Sequence, residues 1–111
     1  MKDLLSKDRE STTVQIAALV RDRDGILESA AMSASDDEHD PEGATVVYER
    51  AHIEAQLDRA QQHLVDLDEA TERLARQTYG VCESCGRPIA LARLKARPTT
   101  KTCIDCANRR R

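Results

Sequence analysis

The chain has 111 residues, 33% of them charged, with no Trp, no Phe and two Tyr; one domain is expected, and a core limited to Leu, Ile, Val and Ala excludes a thick globule in favour of an elongated helical body stapled at one end. The net charge of −3 conceals a division. Residues 1–78 carry nine Lys/Arg and 18 Asp/Glu (net −9) and residues 79–111 carry eight and two (net +6), so the two regions have different jobs or partners.

The opening stretch, MKDLLSKDRE, lacks the apolar run of a secretory signal. No run of about 18 apolar residues follows it anywhere, so no membrane span is expected. The cytoplasm is the expected location. Residues 1–34 read as one helix, with Leu5, Thr12, Ile16, Leu19, Ile26 and Ala30 on one face. Arg9 and Arg23 interrupt that stripe, and Gly25 costs about 1 kcal/mol relative to Ala. The helix is expected to end near Ser33–Ser35.

The connection SASDDEHDPEGA, residues 33–44, holds five carboxylates within seven residues: Asp36, Asp37, Glu38, Asp40 and Glu42. By itself this reads first as a solvated acidic turn that favours the positive N-terminus of the following helix, and second as an acidic probe on a long arm. Asp40-Pro41 is a start signal, with Asp as N-cap and Pro at the first helical position.

Residues 46–77 repeat apolar positions more regularly. Ile53, Leu57, Ala60, Leu64, Leu67, Thr71 and Leu74 follow one another in steps of 4, 3, 4, 3, 4 and 3, the seam of a coiled coil. A helix from 41 to 78 is about 55 Å long, and Gly80 suits its C-terminal cap. Such a stripe needs a partner. The first helix, returning antiparallel through the short connection, is favoured over dimerisation of the second. His39, His52 and His63 read as surface or helix-face residues.

All four cysteines lie in CESCGRPIALARLKARPTTKTCIDC, as Cys82/Cys85 and Cys103/Cys106 with 17 residues between the pairs. Four thiolates at this spacing suit one tetrahedral Zn²⁺, and four protein ligands close the site to water and substrate, so the zinc is structural. Disulfides need an oxidising compartment, a redox Cys-x-x-Cys needs a βαβ setting, and an iron–sulfur cluster is less usual at this spacing. Gly86 lets the backbone fold close to the sulfurs. Arg87, Arg93, Lys95, Arg97 and Lys101 offset the −2 charge of a tetrathiolate zinc. Ala90–Ala96 is expected to form a short helix ended by Arg97-Pro98, over a filling of Ile89, Leu94 and Ile104.

The stretch YGVCESCGRPIALARLKARPTTKTCIDC, residues 79–106, resembles the C4 zinc finger of the DksA/TraR family of bacterial transcription regulators, with Glu83, Ile89, Arg93, Pro98 and all four cysteines at matching places. The preceding helical hairpin with an acidic tip, joined at Tyr79-Gly80, is similar too. The resemblance implies a protein that binds RNA polymerase rather than a DNA sequence. Its hairpin enters the secondary channel, and its tip approaches the catalytic centre. The family's tip pattern is Asp, two residues, Asp, one residue, Ala. Counted back from Cys82, Glu42 and Ala44 take its last two places; His39 falls at the first, beside Asp40, and Gly43 lies within. The chain stops five residues after Cys106, short of the long C-terminal helix of larger members, so contacts that depend on that helix are not expected.

The expected fold is mainly α. An antiparallel coiled-coil hairpin occupies residues 1–78, with its acidic tip at 34–44, and a small four-cysteine zinc finger with a short helix and a basic tail occupies 79–111. The expected function is regulation of transcription by a monomer that binds RNA polymerase, is not an enzyme, and presents Asp36, Asp37, Glu38, Asp40, Glu42 and Ala44 to the active site. A rival is nucleic-acid binding through the basic region, with Tyr79 alone available for stacking. A Mg²⁺ nuclease at the acidic turn has no nucleophile or base in a defined pocket. That reading ranks lowest, and a purely structural coiled-coil dimer is a further alternative to the regulator.

Overall fold

Long charged segments with a narrow apolar stripe become stable helices only when that stripe is covered. The computed structural model describes residues 1–33 and 41–109, with side chains for 1–29 and 45–109. Helix α1 runs over Lys2–Ser33 and α2 over Pro41–Ala75, so α1 stops where its apolar period does and α2 starts at its proline. Two short helices follow, α3 at Leu91–Ala96 and α4 at Ile104–Arg109. The fold class is the expected one, an antiparallel helical hairpin and a four-cysteine module, with α4 as an addition.

The described chain forms two compact units, Ser11–His63 and Met1–Glu10 with Leu64–Arg111. In the first, Leu19, Leu57 and Ala60 are buried, with Ile16, Val20 and Ile53 packed against them. Small Ala60 facing Leu19 lets the two helix backbones approach. Thr12 is buried on the α1 side.

In the second unit Leu5 packs against Leu67 and Ala70, both fully buried. Met1 rests on the core of the cysteine module and Arg9 Nε donates to Asp68 Oδ1 at 2.8 Å. Rising positions in α1 therefore meet falling positions in α2, the antiparallel order. The seam differs from expectation at one place: Ala70 is buried and Thr71 exposed, with Thr71 Oγ1 donating to the Leu67 carbonyl at 2.9 Å. The step from Leu67 is three residues instead of four, and it brings the small Ala70 into one cluster with Leu5 and Leu67.

The end of α2 is also not where Gly80 would put it. Thr78 N donates to the Arg73 carbonyl at 2.9 Å and Gln77 N to the Leu74 carbonyl at 3.2 Å. With Gln77 at φ 62°, this is the paired closure of a Schellman cap, made by a glutamine in the left-handed region. Gly80, at φ 83°, serves the next turn. Its carbonyl accepts from Ile89 N at 2.8 Å, and a Cβ there would lie 3.4 Å from Leu94 Cδ1.

Candidate metal centre

Each cysteine pair is held by its own backbone turn. In the first, Gly86 N donates to the Cys82 carbonyl and Cys82 N to the Arg87 carbonyl, both at 2.9 Å, and Gly86 supplies the positive φ (74°) that closes the knuckle. Val81 and Pro88 form a single antiparallel bridge beside it. In the second, Cys103 precedes α4 and Cys106 lies inside it, three residues on and so on the same face. Ala107 N donates to the Cys103 carbonyl at 3.0 Å. Glu83 N reaches the Lys101 carbonyl at 2.9 Å and links the two pairs.

The four Sγ atoms lie within 4.8 Å of one another. The Cys85 and Cys103 sulfurs are 3.8 Å apart, and Zn–S bonds of about 2.3 Å in a tetrahedron place sulfurs about 3.8 Å apart. The donor set thus fits one Zn²⁺ with every position filled by protein. Cys82 and Cys106 are buried, Cys103 half-buried and Cys85 exposed.

The sulfurs are electrostatically unequal before any metal acts on them. Backbone N–H groups of Cys103, Cys85 and Ser84 face the Cys82 sulfur and bring its thiol down to about 6 against the opposing effect of burial. Cys106 is pushed up to about 12 by hydrogen bonding with Cys103, by burial, and by Cys82 and Cys85. A dication overrides this inequality by favouring the thiolate at all four.

The apolar filling departs from expectation. Ile89 and Leu94 are buried with Cys82 and Cys106, but Ile104 is 54% exposed. Its place is taken by Tyr79 and Met1, from outside the cysteine loop. Ile104 opens α4, where the same-face spacing is already used by Cys103 and Cys106, so its side chain turns outward.

Three polar contacts tie α2 and the residues just after it to the 98–101 turn of the module. Tyr79 Oη donates to the Pro98 carbonyl at 2.8 Å, Arg73 Nη2 to the Thr99 carbonyl at 3.5 Å, and Lys101 Nζ pairs with Glu69 Oε2 at 2.8 Å. Arg93 Nε donates to the Thr102 carbonyl at 3.0 Å, beside Cys103. Arg93 and Lys101, read from the sequence as offsetting charge, are thus also committed to holding the second pair in place. Of the acidic turn, Asp36, Asp37, Glu38 and Asp40 lie outside the described residues, as does His39. Glu42 and Ala44 fall within α2, their side chains outside the described set.

Residues 77–111 match the family model described as prokaryotic dksA/traR C4-type zinc finger. The RNA polymerase-binding transcription factor DksA of Escherichia coli (strain K12) is 39% identical over 49 residues, which cover 44% of this chain and 32% of that protein. The protein of the same name from Caulobacter vibrioides (strain NA1000) is 40% identical over 52 residues, covering 47% and 37%. The chain spans about a third of the length of these curated relatives. The solved structure of transcription factor DksA2 from Pseudomonas aeruginosa aligns with a TM-score of 0.59 at 30% identity, over 97% of this chain and 83% of that one.

Proposed function

The chain belongs to the DksA/TraR family, and on that premise we propose that it is a non-catalytic regulator that binds RNA polymerase in the bacterial cytoplasm. Cys82, Cys85, Cys103 and Cys106 hold one structural Zn²⁺. The hairpin enters the polymerase's secondary channel and carries Asp36, Asp37, Glu38, Asp40, Glu42 and Ala44 towards the active site, where fixed negative charge meets Mg²⁺ and basic residues. The protein acts as a monomer without recognising a DNA sequence.

The observation that carries this reading is the join between α2 and the cysteine module, made by Tyr79, Arg73 and Lys101. A module fixed to the base of a hairpin aims it, as a probe requires; a mobile finger would serve nucleic acid equally well. No helix among the described residues is long and apolar enough to cross a membrane. The test is neutralisation of Asp36, Asp37, Glu38, Asp40 and Glu42 to Asn or Gln. Helix content, zinc content and polymerase affinity are expected to hold while the effect on promoter-complex lifetime is lost. Unchanged regulation by that variant would refute the tip mechanism. Channel entry is tested separately, because a transcript-cleavage factor that uses the same channel then competes with the protein.

A further inference from the structure

Within the hairpin unit, Ser11–His63, the buried side chains among the described residues are Thr12, Leu19, Leu57 and Ala60. Val20 and Ile53 rest on the edge of the Leu19, Leu57 and Ala60 cluster. Past that edge, towards the end of α1 and the start of α2, the packing changes. None of the side chains of residues 21–29 and 45–52 is buried. A groove of about 580 Å³ opens there, between Asp22, Gly25 and Ile26 of α1 and Val46 and Glu49 of α2.

The sequence explains the gap. One turn beyond Leu19, α1 offers Asp22 and Arg23 to the seam, and Arg23 Nε turns to its own neighbour, Asp24 Oδ1, at 3.4 Å. One turn before Ile53, α2 offers Glu49 and Arg50. Gly25 comes next in α1, and a Cβ there would meet nothing within 4 Å. Ile26 and Val46 are left half-buried. Charge and a missing side chain thus stand where a coiled coil needs apolar knobs. A few turns of helix do not hold themselves together without such packing.

We propose that residues 21–29 and 45–52 form one opening segment of the hairpin, which parts and melts as a unit beyond the Leu19, Leu57 and Ala60 cluster, and that only its closed form docks. Gly25 and the four charged seam positions set its closed fraction. The docking half rests on the polymerase reading above. The opening half does not, because hydrogen exchange measures it in the free protein, so the two can fail separately.

The test is amide hydrogen exchange on the zinc-loaded full chain. Amides of both stretches should exchange at least about a hundredfold faster than those of the buried Leu67 and Ala70, once intrinsic rates are divided out. Gly25→Ala, which adds helix propensity in open space, should slow both stretches about fivefold and leave Leu67 and Ala70 unchanged. The response of 45–52 to a change in α1 is the decisive reading, since a single fraying helix would not transmit it. Ile26→Ser with Val46→Ser should speed exchange of both stretches while zinc content and the protection of Leu67 and Ala70 hold. That pair should weaken binding to core RNA polymerase in the proportion by which the closed fraction falls, and Gly25→Ala added to it should restore both readouts. Uniform protection along the hairpin, or slowing by Gly25→Ala confined to α1, would overturn the opening segment. Affinity lost without a change in exchange, or lost and not rescued by Gly25→Ala, would overturn the docking half. A parent that did not bind polymerase would overturn that half together with the polymerase reading, with the exchange pattern still deciding the other.

Discussion

The Tyr79 hydroxyl donates to the Pro98 carbonyl at 2.8 Å, and the Tyr79 ring packs against both apolar clusters of its unit, that of Leu5, Leu67 and Ala70 and that of Cys82, Ile89, Leu94 and Cys106. One side chain thus joins the hairpin base to the metal module, and its phenol is raised above the ordinary tyrosine range chiefly by burial. Tyr79→Phe leaves the part-buried Pro98 carbonyl unpaired and is expected to cost about 1 kcal/mol. Tyr79→Ala also removes the shared ring and is expected to cost about 3 kcal/mol. Urea unfolding of the zinc-loaded variants checks both, and equal effects would show that the ring contributes nothing beyond its hydroxyl.

Gln77 holds a left-handed conformation that glycine adopts without strain. Gln77→Gly is expected to stabilise the protein by about 0.5–1 kcal/mol, the strain relief being partly offset by glycine's larger unfolded-state entropy. Gly80→Ala should act in the opposite direction, because φ stays at 83° and the new Cβ meets Leu94 Cδ1 at 3.4 Å. Melting temperatures of the two variants should fall on either side of the parent's.

These two positions show what the sequence carries and where it is silent. The cysteine spacing announced the tetrathiolate cluster because metal geometry constrains sequence separation tightly, and the period of α2 announced its helix because burial on one face repeats. The cap position was less accessible. A glycine is a candidate wherever a positive φ is needed, but only the hydrogen bonds of Gln77 and Thr78 reveal that a non-glycine residue took the role. The substitution of Tyr79 and Met1 for Ile104 in the module's core was hidden for another reason. It depends on α1 beginning and α2 ending at the module, a tertiary relation that no local pattern encodes. The spacing of Cys103 and Cys106 on one helical face held a clue to α4, with Asp105 favourable in its first turn. The 98–101 contacts with α2 had no signal beyond the Tyr-Gly join.

The Lys101–Glu69 pair has a defined pH window. Its two ends titrate in opposite directions: Glu69 lies below the ordinary carboxylate range and Lys101 above the ordinary lysine range, each first because of its hydrogen bond to the other. The Glu69 contribution is complete above about pH 4.5 and is lost as pH falls through its lowered value. The Lys101 contribution is complete below about pH 10.5 and is lost as pH rises through its raised value. Both side chains are well exposed, so the effect is small and screened by salt. Glu69→Gln should therefore lower stability at pH 7 in low salt, and the difference from the parent should shrink in 1 M salt and at pH 10.5 and above. A difference independent of salt would mean that Glu69 acts by packing.

Zinc binding should release protons. At pH 7 the metal-free Cys82 thiol, at about 6, is already largely ionised, whereas Cys106, pushed up to about 12, must surrender its proton to the solvent. Affinity for Zn²⁺ is accordingly expected to rise with pH through neutrality. Calorimetric titration in two buffers of different ionisation enthalpy measures the release directly. Cys106→Ser, at a buried ligand, should abolish one-to-one binding and melt the module. Retention of a single tightly bound zinc by that variant would show that fewer than four sulfurs suffice.

The central claim is that this hairpin and finger form a polymerase-binding device. The most direct measurement titrates the zinc-loaded protein against its own core RNA polymerase, with free duplex DNA as a parallel titration at the same salt concentration. Saturable polymerase binding, with DNA binding weak and falling steeply as salt rises, is the predicted result. Absence of polymerase binding at concentrations where DNA saturates would contradict the account and assign the basic region to nucleic acid.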